Sequence, residues 1–180
     1  MTLQSVRLQI PSGTGILMPV TLTRESTGDG RFLIGNIEHF TEANRQSFET
    51  IGEAVRQMTG QWFNENVMVE FREGYQTVTG NSWDLKIALG LVSLLSGYPL
   101  KQGLTGSATI ENAYTGRLGP VAGLAAKFKA AEDTGCTIFL VAATQTGIPH
   151  HSERLQVYRV ANLGQAWEVA TGTPSWRLKA

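Results

Sequence analysis

Several side chains in this sequence are of types that can do chemistry, and their neighbours decide which uses are open to them. Ser82 follows Gly80-Asn81 and stands at the head of a long apolar run. A serine hydroxyl is a poor nucleophile until a base takes its proton. Free backbone N–H groups at a helix start, with the positive end of the helix dipole, suit a developing oxyanion. Lys127 sits among Leu124, Ala125, Phe128 and Ala131. A lysine acts as a base only when neutral, so its reference pKa of about 10.4 must fall by several units, which burial can achieve. Taken singly, each residue has a plainer use: serine is a favoured helix N-cap, and lysine is almost never fully buried. His150-His151 invites a metal reading, but Pro149 before it and Ser152-Glu153 after it mark an exposed loop. Adjacent side chains in extended chain point apart, and no second cluster with ligand spacing accompanies the pair, so no metal site is expected. His39 precedes a helix and reads as structural. Cys136 lies in the apolar run Cys136-Thr137-Ile138-Phe139-Leu140-Val141 and reads as a buried thiol.

The elements that must position these residues follow from periodicity and punctuation. Val6–Ile10 and Gly15–Leu22 read as strands, Thr27-Gly28-Asp29-Gly30 as a turn, and Arg31–Ile34 as a third strand. Together they predict a small N-terminal antiparallel sheet. Thr41 caps an amphipathic helix in which Ala43, Phe48, Ile51, Val55 and Met58 share one face, running to about Thr59. Val67–Phe71 alternates like a strand, and Arg72–Asn81 reads as a loop. From Ser82 to Ser96 the apolar residues cover most of a helical circumference, which predicts a helix buried nearly all round. Gly97 ends it, with Pro99 just beyond. Further strands, a helix over about Ala122–Asp133, a buried strand at Cys136–Val141, a strand at Leu155–Val160 and a last helix at Leu163–Ala170 complete the chain. The fold class expected is α+β, a mixed α/β arrangement, with residues 1–180 forming one domain and no repeat, linker or low-complexity tract.

Gly80-Asn81-Ser82, the buried helix and its ending Leu91-Val92-Ser93 to Gly97-Tyr98-Pro99 resemble the nucleophile region of Lon proteases. In that family a Gly-x-Ser leads into a helix ending Leu-Val-Ser, then Gly-x-Pro. Thr105-Gly106-Ser107 is similar to the family's Thr-Gly-Glu or Thr-Gly-Ser. Gly116-Arg117-Leu118-Gly119-Pro120-Val121-Ala122-Gly123 through Lys127 is similar to its second signature, which closes on the catalytic lysine. Glu73-Gly74 stands where the family has Pro-Glu-Gly. The resemblance covers almost the whole chain and implies a Lon proteolytic-domain fold with a buried, nucleophile-bearing helix. It implies Ser82 as nucleophile, Lys127 as general base and Thr105 as the residue that helps position the lysine. Gly80, Asn81, Trp83 and Asp84, with Glu70 on the preceding strand, become the expected surroundings of substrate and oxyanion.

The sequence also departs from the family pattern. After its serine the family has Ala-Gly, where Trp83-Asp84 stand here, so an indole is placed to fill or cover the cleft. A carboxylate at Asp84 suits the helix dipole, but near Lys127 it would favour the charged ammonium. Thr79 replaces an acidic residue three before the nucleophile, and Glu70 replaces a histidine. Asp84-Leu85-Lys86 is also similar to the non-peptidase Lon-fold domains of RadA-type recombination proteins and ComM-type ATPases. The expected function is therefore a serine endopeptidase acting on unfolded proteins or peptides, with an inactive Lon-fold oligomerisation or interaction module as the alternative. No Gly-x-x-x-x-Gly-Lys-Ser/Thr occurs, so no P-loop is expected and no cofactor is implied. The resemblance implies a homo-oligomer, a hexameric ring, acting either without ATP or with an AAA+ ATPase in trans. Lys+Arg and Asp+Glu both number 15, which gives no electrostatic reason to expect nucleic acid or anionic membrane as partner. The lone cysteine suits a reducing compartment. The first residues lack a basic, apolar leader pattern, and the apolar stretch around Leu85–Leu95 is too short to span a bilayer. A cytoplasmic location is the expectation.

Overall fold

A computed structural model of the chain describes residues 3–37, 39–71 and 80–179. Strands β1 (Ser5–Pro11) and β2 (Leu17–Arg24) form a hairpin whose alternation sends Leu8, Ile10, Val20 and Leu22 inward. Strand β3 (Phe32–Gly35) is followed by helix α1 (Glu42–Thr59) and strand β4 (Val67–Phe71). The sheet order is β1-β2-β4-β3. β1 and β2 pair antiparallel as the sequence predicts and β4 adds to β2 antiparallel, but β3, expected in the same antiparallel sheet, joins the edge parallel to β4. The helix between them is the reason: a crossover brings the chain back in its original direction, whereas a tight turn would reverse it.

Thr41 caps α1 as expected. Its hydroxyl accepts from the Asn44 amide at 3.1 Å, and the Asn44 side chain accepts from the Thr41 amide at 3.1 Å. This reciprocal arrangement satisfies two otherwise unpaired donors. The predicted apolar face is buried at Phe48, Ile51 and Val55. Helix α2 (Asp84–Ser96) is buried around nearly its whole circumference and ends at Gly97, which takes the left-handed conformation. At Gly90 a Cβ would come within 2.8 Å of Leu8 and Leu22 methyl groups, so α2 presses directly onto the β1–β2 hairpin.

Beyond α2 come β5 (Leu104–Ser107), the antiparallel pair β6 (Thr109–Asn112) and β7 (Arg117–Gly119), helix α3 (Leu124–Asp133), β8 (Ile138–Ala142), β9 (Gln156–Val160) and α4 (Leu163–Thr171). β5, β8 and β9 form a parallel sheet in the order β5-β8-β9. Gly106 lies opposite Leu140, where a Cβ would meet the Leu140 backbone oxygen at 2.9 Å. Two apolar cores result. The larger gathers β1, β2, β4, α1, α2 and α4, with Trp83 and Leu85 inside it. The smaller holds Leu124, Phe128 and Ala131 of α3 against Leu17, Phe139, Val141 and Leu155. Burying each such large side chain contributes about 1.5–3 kcal/mol. The fold is thus the mixed α+β architecture expected, consistent with a Lon proteolytic-like domain. Of the loop expected over Arg72–Asn81, only Gly80 and Asn81 fall within the described residues; Glu73-Gly74 and Thr79 lie outside them. Among the described residues no helix is long and apolar enough to cross a membrane.

Candidate active site

A cleft of about 650 Å³ opens between the β1–β2 turn, the residues leading into α2 and the segment before α3. Its lining includes Ile10, Met18, Ser82, Thr109, Val121 and Lys127. Gly80, Asn81 and Trp83 also reach it, whereas Glu70 is exposed on β4 and is not among the lining residues.

Ser82 is held by backbone bonds on both sides. The Asp84 amide donates to the Asn81 carbonyl at 3.1 Å, which closes a turn around the serine. The Ser82 carbonyl accepts from the Ala108 amide at 3.2 Å, and the Ala108 carbonyl accepts from the Leu85 amide at 3.2 Å. The turn is therefore stitched to the β5–β6 junction. The N-cap position of α2 falls on Trp83 and carries no side-chain cap. The plain reading of Ser82 as a capping serine is thereby corrected, and its hydroxyl is not committed to closing the helix.

Lys127 lies on the stripe of α3 that faces inward, beside Leu124, Phe128 and Ala131. It is 5% exposed. Burial pushes its amine below the ordinary lysine pKa, because the charged form loses hydration. The amine donates to the Ser107 hydroxyl at 3.0 Å, and the Ser107 hydroxyl reaches the Ser82 carbonyl at 3.4 Å. Thr105 has a different partner from the one expected: its hydroxyl donates to the Gln9 carbonyl at 2.9 Å and ties β5 to β1. Sequence reasoning gave the positioning role to Thr105 and overlooked Ser107. The available signal was the period of two along a strand, which places residues 105 and 107 on one face.

The side chains of the two residues after Ser82 turn into the core, Trp83 only bordering the cleft. Trp83 is 2% exposed, its ring nitrogen donates to Ser47 at 2.8 Å, and its indole packs on Phe48 and Phe71. The expectation that the indole covers the cleft is corrected: the aromatic neighbours and the Ser47 hydroxyl on α1 draw it into the core. Asp84 is also buried, accepting from the Ser47 hydroxyl and from the Ile110 amide at 3.2 Å. Burial raises its pKa to about 7, against the opposing effect of these two hydrogen bonds. Its hydrogen bonds run to α1 and β6, and burial alone accounts for the shift at Lys127, so the feared opposition between the two does not arise. Cys136 is buried as expected. The His151 ring sits edge-on to Phe128, and His150 is exposed.

One wall of the cleft depends on a single side chain that the sequence did not single out. Gln145, nearly buried, accepts from the Val121 amide at 2.9 Å and donates to the Val121 carbonyl at 3.0 Å. These two bonds fasten the Pro120–Gly123 segment. Gln145→Ala is expected to speed hydrogen exchange at the Val121 amide, because it removes that amide's acceptor. Amide exchange followed by NMR checks this; an unchanged rate would mean the wall holds without the clip.

No family model matches the chain. Searches of curated proteins do find relatives. The Archaeal Lon protease of Thermococcus kodakarensis is 22% identical over 167 residues, covering 87% of this chain and 25% of that protein. The Archaeal Lon protease of Methanothermobacter thermautotrophicus is 25% identical over the same length, with the same coverage. That of Pyrococcus abyssi is 22% identical and is covered over 16% of its length. The chain is related to the Lon proteases. It spans a quarter or less of the length of these relatives, so what the rest of each relative does is a property of that protein. The Lon-related domain is similar to them over the greater part of its own length.

Proposed function

We propose that this Lon-related domain is a serine–lysine endopeptidase, with Ser82 as nucleophile and Lys127 as general base. The observation that carries the reading is a buried lysine of lowered pKa facing the same cleft as a serine whose hydroxyl does not cap the helix that follows it. In the step envisaged, the neutral amine takes the Ser82 proton as the oxygen bonds to a peptide carbonyl carbon. The proton then passes to the departing amide nitrogen as the C–N bond breaks, and water hydrolyses the acyl-enzyme. The Asp84 and Leu85 amides are engaged by Asn81 and Ala108. The amides of Ser82 and Trp83 are then the candidates for holding the oxyanion.

The substrates proposed are unfolded proteins or peptides, whose extended backbone could lie in the cleft between the β1–β2 turn and the segment before α3. Assembly as a homo-oligomeric ring of six, an AAA+ ATPase in trans for folded substrates, and a cytoplasmic setting complete the proposal. One observation favours a non-catalytic Lon-fold module instead: among the described residues no hydrogen bond joins the Lys127 amine to the Ser82 hydroxyl. Hydrolysis of an unstructured fluorogenic peptide library without ATP separates the two. Wild-type turnover that vanishes in both Ser82→Ala and Lys127→Ala, with fold and assembly retained, is the expected result. Equal turnover in all three proteins, or none in any, would overturn the peptidase reading.

A further inference from the structure

Behind the cleft-lining Lys127 lies a buried hydroxyl whose position is harder to explain by folding than by chemistry. Ser107 is 1% exposed at the end of β5, and its oxygen lies 3.0 Å from the Lys127 amine. A neutral amine has two N–H bonds and one lone pair. Lysine ends in a flexible stem, so nothing in the stem itself aims that lone pair. Donating one N–H to a fixed acceptor restricts the rotation and leaves the lone pair to point elsewhere. Ser107 is a fixed acceptor: its backbone is paired opposite Val141, and the preceding Gly106 lies flat against Leu140. Its hydroxyl is within reach of the Ser82 carbonyl at 3.4 Å. The same side chain therefore touches the base and the residue that bears the nucleophile. The acceptor is also uncharged. A carboxylate in its place would stabilise the ammonium strongly and raise the lysine pKa, whereas a hydroxyl orients the amine with a smaller effect of the same sign.

We propose that Ser107 is the positioning residue for Lys127, holding the neutral amine in register with Ser82. This rests on the peptidase reading for its kinetic consequence but not for its structural one. The test compares wild type with Ser107→Ala, with Ser107→Cys, which keeps the shape but accepts hydrogen bonds weakly, and with Ser107→Thr, which restores the hydroxyl. Peptide hydrolysis is expected to show kcat lowered about 10- to 100-fold in the Ala and Cys variants, with KM within about twofold of wild type. The Thr variant recovers most of the loss. A parallel titration of the ¹³Cε-labelled lysines by NMR, with Lys127→Met to assign the resonance, reads the lysine without any turnover. Loss of the acceptor removes a contact that favours the ammonium, so the Lys127 pKa is expected to fall further in the Ala and Cys variants and to return in the Thr variant. If Ser107→Ala does not fold, Ser107→Cys decides. Should kcat stay within about twofold of wild type in the decisive variant, or the Lys127 titration not move, the positioning role is overturned. A wild type without turnover would overturn the peptidase reading, while the titration still decides whether Ser107 holds the lysine.

Discussion

Lys127→Arg should abolish turnover, with kcat/KM falling by at least about a thousandfold, although the substitution keeps both charge and approximate length. Arginine stays protonated at any pH a protein survives, so it has no lone pair with which to take the Ser82 proton. The same argument fixes the wild-type pH profile. On the serine–lysine reading the free amine is the active form, and its pKa is lowered by burial. Activity must therefore rise as pH climbs through that lowered value, at a pH below the ordinary lysine titration. No pH should rescue the arginine variant. Lys127→Met, which removes a buried cation, should lose activity to the same extent while its urea midpoint stays at or above that of wild type. Rate profiles across about pH 5–10 with urea titrations of each variant test the pair. Residual activity in Lys127→Arg within about tenfold of wild type would assign the base elsewhere.

Folding stability should pass through a trough between about pH 7 and pH 8. Two buried groups next to the site are responsible. Asp84 has its pKa raised from 3.8 to about 7 by burial, and the buried Lys86, which donates to the Leu104 carbonyl at 3.2 Å, has its pKa lowered from 10.5 to about 8. Between pH 4 and 7 the folded chain keeps the Asp84 proton that the unfolded chain has released, so stability falls as pH rises. Between pH 8 and 10.5 the unfolded chain keeps the Lys86 proton that the folded chain has released, so stability recovers as pH rises. Both groups are charged and buried only within the trough, which should lie a few kcal/mol below the shoulders. Urea unfolding in steps of pH is the measurement. Asp84→Asn should flatten the acidic shoulder, and Lys86→Met the alkaline one. A flat profile in wild type would mean that both side chains reach water.

Much of this arrangement was legible in the sequence, and the parts that were not share a cause. The helix over Asp84–Ser96, its stop at Gly97 and the Thr41 cap follow from apolar period and local hydrogen bonding, which act over a few residues. The register of Ser82 and Lys127 on one cleft was visible through the family resemblance. The directions of Trp83, Asp84 and Lys86 were not. On a helix that is buried on nearly every side, the pattern no longer tells which neighbour a side chain meets. Trp83 and Asp84 both turn to Ser47, a residue 36 and 37 positions earlier in the chain, on α1. That Ser107 and not Thr105 meets the Lys127 amine has the same origin. Both hydroxyls lie on one face of β5, and only the packing of β1 and α3 against that strand decides which of them meets the lysine. The parallel pairing of β3 was missed because strand direction depends on the connection, not on the strand's own residues.

The two cores set a mechanical condition on the chemistry. Ser82 precedes a helix rooted in the larger core, and Lys127 rides on a helix rooted in the smaller one. On the serine–lysine reading, the separation of nucleophile and base is thus an alignment between two packed bodies, spanned by β5 and the Ser107 hydroxyl. A substitution that shifts one core against the other would then lower turnover without touching Ser82 or Lys127.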